Sequence, residues 1–155
     1  MSEKKILLVD YDRKNLDALT ELFSSHKFEI IIAMDGQIAY EKFKTEKPNL
    51  VILEAMLPKL HGFDLTQKIS GESKGSVPVI IITGLYRGSQ YRNEALRSFG
   101  ASDYFEKPYD KEKLLDSAVS LLQEDMDIET GLPDPDSVIR LLAKEVNKGI
   151  SETGE

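Results

Sequence analysis

Five short apolar runs punctuate the chain: KILLV (5–9), EIIIA (29–33), LVIL (50–53), PVIIIT (78–83) and DYF (103–105). The middle runs are apolar at successive positions, without alternation. That pattern suits strands covered on both faces, as in a parallel sheet. Between the runs, apolar residues fall at helical spacing. Leu16, Leu19 and Phe23 space a stripe over 13–26, Ala39 and Phe43 over 36–46, and Tyr91, Ala95 and Phe99 over 89–99. Leu114, Leu115, Ala118, Leu121 and Leu122 give the clearest stripe, over 110–124, whereas 63–70 is shorter and weaker. Five strand–helix alternations in about 120 residues predict an α/β doubly wound parallel sheet with right-handed crossovers.

After Glu124 the texture changes. The stretch DMDIETGLPDPD is polar and carries Gly131, Pro133 and Pro135, which reads as a linker. The following PDSVIRLLAKEVNKG predicts one more helix, with Asp134 as its cap, Pro135 at its first position and Gly149 at its end. Val138, Leu141, Leu142 and Val146 share one face of it. The expected division is therefore 1–124 as one domain and 125–155 as a linker plus amphipathic helix.

Composition narrows the picture. A chain of 155 residues that is 41% hydrophobic can bury a core without staples. The absence of cysteine excludes a disulfide framework, thiolate zinc sites and cysteine nucleophiles. The first apolar run is too short for a signal peptide and no segment approaches a membrane span, so a cytoplasmic protein without membrane contact is expected. Net charge is −7, and residues 125–155 hold eight acids against three bases, leaving −2 for the rest. Neither part has the clustered Lys and Arg that nucleic acid requires.

In doubly wound sheets ligands gather beyond the carboxyl ends of the strands. The residues that end the runs are Asp10 (followed by Tyr11 and Asp12), Glu54, Thr83 with Gly84, and Lys107 with Pro108. Two carboxylates, a hydroxyl and an ammonium thus converge on one edge. Neighbouring carboxylates suit a hard divalent cation such as magnesium, a lysine neutralises an oxyanion, and a carboxylate can act as nucleophile toward a phosphoryl group. Taken singly, Glu54 reads as a solvated strand end, Asp10 as a helix cap and Tyr104 as a packing aromatic. His26 and His61 read as loop or helix-end residues.

The segments ILLVDYD, PNLVILEAMLPKLHGFDL, VPVIIITG and GASDYFEKPYD, in this order and spacing, resemble the receiver domains of two-component response regulators over residues 4 to about 124. The resemblance implies a flavodoxin-like (βα)5 fold with strand order 2-1-3-4-5, plus the extra C-terminal helix. It implies that Asp10 matches the first of two metal-binding acids and that Tyr11 stands in the place of the second. Glu54 takes the place of the phospho-accepting aspartate, Thr83 that of the switch hydroxyl, Tyr104 that of the switch aromatic and Lys107 that of the site lysine. Met56 would lend a backbone carbonyl to the metal, and the Lys107–Pro108 bond is expected to be cis.

Two of three acidic positions therefore depart from the pattern. A phenol, protonated at neutral pH, does not replace a hard-cation ligand, so the set Asp10, Glu54 and Met56 is expected to bind magnesium weakly or not at all. Asp12 is expected to cap the first helix instead. Glu54 extends its carboxylate over an ångström further, and a displacement of that size costs about a hundredfold in an oriented reaction. The resulting expectation is a pseudo-receiver in phosphorelay signal transduction that is not an enzyme and works without phosphorylation. A Glu54–Lys107 pair would hold it, and it would act through protein contacts made by residues 89–124. A sensor histidine kinase and a second copy of the chain are the other candidate partners. The alternative is a receiver still competent for magnesium-dependent phosphoryl transfer. It would regulate a diguanylate-cyclase-type output domain, because DIETGLP (127–133) resembles the opening of such domains, with Asp134-Pro135 departing from their pattern. A flavodoxin-like cofactor binder is a third reading, opposed by the acidic, bulky DYDRKN after the first run.

Overall fold

The computed structural model describes residues 4–24 and 26–129, with side chains described as far as Gln123. Ten elements alternate: β1 (Lys4–Val9), α1 (Arg13–Ser24), β2 (Phe28–Ala33), α2 (Gly36–Glu46), β3 (Leu50–Glu54), α3 (Gly62–Ser73), β4 (Val79–Thr83), α4 (Ser89–Arg97), β5 (Asp103–Glu106) and α5 (Lys111–Glu129). The five strands are parallel and lie in the order β2-β1-β3-β4-β5, the flavodoxin-like arrangement.

The unbroken apolar runs divide between two cores by strand parity. Leu7, Val9, Val51, Leu53, Val79 and Ile81 join Ala39, Leu65, Ile69 and Ala95, the contribution of α2, α3 and α4. Ile6, Leu8, Leu50, Ile52, Ile80 and Ile82 join Leu16, Leu19, Phe23, Leu114, Ala118 and Leu122, from α1 and α5. Successive side chains of a strand point to opposite faces, so a strand buried on both sides must be apolar at every position. The same parity fixes where polar residues at the strand ends point.

Most elements fall where the pattern predicts. Asp12 caps α1, its Oδ1 accepting from the Lys14 amide at 2.9 Å. Asp110 does the same for α5, accepting from Glu112 and Lys113. The weak segment 63–70 is in fact a three-turn helix, because His61 caps it and Leu65, Thr66 and Ile69 are buried along it. The helix α5 continues through Glu129, five residues past the expected end at Glu124. The residues of that extension (DMDIE) contain no glycine or proline, and the breakers Gly131 and Pro133 come later. The predicted C-terminal helix 135–149 lies outside the described residues. Among the described residues no helix is long and apolar enough to cross a membrane.

Candidate functional site

Asp10 follows Val9, Glu54 follows Leu53, and Lys107 lies two residues past Phe105. Val9 and Leu53 face α2–α4, so the next residues face α1 and α5; Phe105 already packs on that side, and so does the position two beyond it. Parity thus brings all three to one place. The Lys107 ammonium is 2.7 Å from Glu54 Oε1 and 3.0 Å from Asp10 Oδ2. The remaining carboxylate oxygens accept backbone amides: Glu54 Oε2 from Met56 at 2.9 Å and Asp10 Oδ1 from Asp12 at 2.9 Å. Asp10 is 2% exposed and Glu54 4%. Burial pulls the Lys107 pKa down, but hydrogen bonds and charge from Glu54 and Asp10 outweigh it and leave the group above its ordinary value.

The backbone around the triad is closely held. Gly62 donates to Ala55 O at 2.7 Å, which folds the loop after β3 back on the strand end. A Cβ at position 62 would sit 2.5 Å from Glu54 O, so this close approach requires glycine. The Lys107 amide donates to Thr83 O at 2.9 Å, and Arg87 Nη1 donates to Lys107 O at 2.6 Å. The Lys107–Pro108 peptide is cis.

Thr83 and Tyr104 belong to the opposite parity and build a second, neutral cluster. Thr83 Oγ1 accepts from the amides of Leu85 and Tyr86 at 3.2 and 3.4 Å. Tyr104 is buried, and its hydroxyl donates to Tyr86 O at 2.5 Å. Burial, then the charges of Glu106 and Glu54, push the Tyr104 phenol up to about 12. His61 Nδ1 accepts from the Phe63 amide, so Nε2 carries the proton and faces the Tyr86 hydroxyl at 3.1 Å. Tyr86 in turn donates to Met56 Sδ at 3.8 Å. Gly88 N donates to Glu106 Oε2, and Arg87 pairs with the same carboxylate at 3.7 Å. Apart from the His61 cap on α3, these bonds hold the loop between β4 and α4. Sequence reasoning missed Tyr86, Arg87 and the capping role of His61. Their signal was position alone: the first two lie in the loop that follows a buried strand's threonine.

Tyr11 stands 52% exposed beside Asp10. It is one of six exposed large hydrophobic residues among those described; Tyr11, Met34, Met56 and Leu85 lie just past β1, β2, β3 and β4, and Ile38 lies in the first turn of α2. Only Tyr91 lies within the expected contact region 89–124.

The donor set fits magnesium poorly. Among the described residues no three Asp, Glu, His or Cys side chains cluster as a metal site. The two acids present hold an ammonium between them, while magnesium requires octahedral oxygen ligands near their ideal positions.

A family model described as "Response regulator receiver domain" matches residues 6–119, and the chain belongs to that family. It carries the receiver domain of a two-component response regulator, a class of domain that in general signals and is not an enzyme. The chain is 32% identical to the transcriptional regulatory protein CrdR of Helicobacter pylori over 112 residues, 72% of this chain and 52% of the relative. It is 38% identical over 114 residues to the probable transcriptional regulator ycf27 of Porphyridium aerugineum, covering 74% and 46%. A CheY-like receiver domain protein from Methanospirillum hungatei superposes with TM-score 0.74 at 28% identity, covering 81% of this chain and 98% of that one. The chain spans about half the length of the curated relatives it matches.

Proposed function

We propose that this receiver signals without phosphorylation, with Glu54 as a built-in anion at the phospho-acceptor position. One observation carries the reading: the Glu54 carboxylate is buried, 2.7 Å from Lys107 and 2.9 Å from the Met56 amide. A nucleophile with both oxygens engaged, and with a poor metal set beside it, is badly placed to attack a phosphoryl group. Its single charge stands in part for the nearly double charge of an acyl phosphate.

Asp10 and Lys107 are the other two members of this fixed-charge site. Thr83 and Tyr104 serve as the switch pair that holds the loop between β4 and α4, and output passes by protein contact. The apolar rim of Tyr11, Met34, Ile38, Met56 and Leu85 favours the sheet edge as a contact surface alongside residues 89–124. A histidine kinase is then a docking partner, not a phosphate source. The relatives' names favour a transcriptional output made by a separate domain.

The test is incubation with acetyl phosphate and magnesium, followed by intact mass. No phosphoryl gain is expected. A variant combining Tyr11→Asp with Glu54→Asp restores the family's acid set and is expected to gain one phosphoryl group. A phosphoryl gain at Glu54 in the unaltered chain would overturn the reading.

A further inference from the structure

The triad borders a cavity of about 440 Å³ on its α1/α5 side. That volume lies in the range of small-ligand pockets. Its walls are mostly apolar, from Leu19, Ile82, Pro108 and Tyr109, with one amide side chain, Asn15, and the triad Asp10, Glu54 and Lys107 lining it as well. Burial pushes the Tyr109 phenol up, so that ring adds no negative charge at neutral pH. The cavity is distinct from the apolar rim on top of the sheet edge.

Charge decides what would enter. Two buried carboxylates against one ammonium leave a net −1. The other lining lysine, Lys111, is exposed, where water weakens its field, so it offsets only part of that charge. Each carboxylate oxygen accepts one protein hydrogen bond and can accept two. The deficit therefore favours a cation. A hard dication lacks a third acid, and the mostly apolar walls offer its hydration shell only the Asn15 amide. A cation with several N–H donors on a flat apolar body matches both the acids and the walls.

We propose that this cavity binds a small organic cation of the arylamidine or arylalkylamine class, its charged head on Asp10 and Glu54 and its ring against Leu19, Ile82 and Tyr109. The inference rests on the closed triad of the proposed function and adds a ligand class to it.

Amide-resolved NMR of the full chain tests it with four probes: benzamidinium, benzyl alcohol, benzoate and magnesium. Benzamidinium is expected to shift the Leu19, Ile82 and Tyr109 amides saturably, with affinity about tenfold or more above benzyl alcohol. Benzoate is expected to shift none of them. Leu19→Trp fills the cavity and should abolish the response. Lys111→Glu, on the exposed rim, should strengthen it a few-fold without a folding risk. No saturable shift below about 10 mM benzamidinium overturns the proposal. So does benzoate binding as tightly, or magnesium binding more tightly at the same amides. A chain that ignores benzamidinium yet resists acetyl phosphate loses only this inference; a chain phosphorylated at Glu54 loses the underlying reading.

Discussion

The two polar clusters at the sheet edge are built on opposite faces of the same sheet. On the α1/α5 face, Asp10, Glu54 and Lys107 form a charged set that closes on itself. On the α2–α4 face, Thr83, Tyr104, His61 and Tyr86 form a neutral set spent on holding one loop. Among the described residues the two share no side-chain hydrogen bond. They meet through the backbone, where Lys107 N donates to Thr83 O, and through the field of Glu54 at Tyr104. A receiver whose acceptor carries a phosphoryl group can bridge such clusters with the added oxygens. A fixed carboxylate engaged with Lys107 and Met56 does not reach across. On the proposed reading the charge is constant, and the loop is held by its own bonds from Thr83, Tyr104 and Glu106.

The largest effect should come from breaking the charged cluster. Lys107→Met leaves two buried carboxylates with no cation between them. Removing one partner of a buried pair costs about 3–5 kcal/mol, to be read from urea unfolding at neutral pH. Adding Glu54→Gln and Asp10→Asn should recover most of that loss, since the uncompensated charge disappears. A Lys107→Met cost under about 1 kcal/mol, the range of exposed pairs, would show that the triad is solvated in solution.

The neutral cluster should respond less. Tyr104→Phe removes the donor to Tyr86 O and should cost about 1 kcal/mol. Its sharper signature is local: hydrogen exchange at Leu85 and Tyr86 should accelerate, because the loop loses one of its anchors. Lys107→Met, despite its larger cost, should perturb those two amides less relative to global stability. Equal acceleration in both variants would mean that the clusters act as one unit.

Strand parity is also what made the fold legible and the site only partly so. The runs LVIL and PVIIIT announce strands buried on both faces, and counting one residue further assigns Glu54 and Thr83 to opposite sides. Motif matching alone puts Thr83 at the same sheet edge as Glu54, and parity adds that the two point to opposite faces. The helix α3 was faint because its cap is a histidine, a residue outside the usual capping set. Tyr86 and Arg87 carried no pattern, since a loop's hydrogen bonds depend on where its backbone returns. The apolar rim was hidden for a different reason. Met34, Met56 and Leu85 sit at strand ends, where an apolar letter reads as one more core residue.

The smallest expected effect tests the electrostatic link between the clusters. The Tyr104 phenol titrates at about 12 in the folded chain against an ordinary 10.0. A group whose folded pKa is raised contributes stability that is complete below its unfolded pKa and is lost as pH rises through the folded one. Tyr104 therefore supports the fold fully below pH 10, and its share disappears between about pH 10 and 12. Lys107, also raised, loses its share above its ordinary 10.5, so the two overlap on the alkaline limb. Comparing each variant with its Tyr104→Phe derivative isolates the phenol. Glu54 is only the third contributor to the shift, after burial and Glu106. Glu54→Gln should accordingly lower the Tyr104 pKa by less than about one unit, measured by ultraviolet difference titration. A larger fall would mean that Glu54 governs the switch tyrosine directly, and no fall at all would leave the clusters joined by backbone alone.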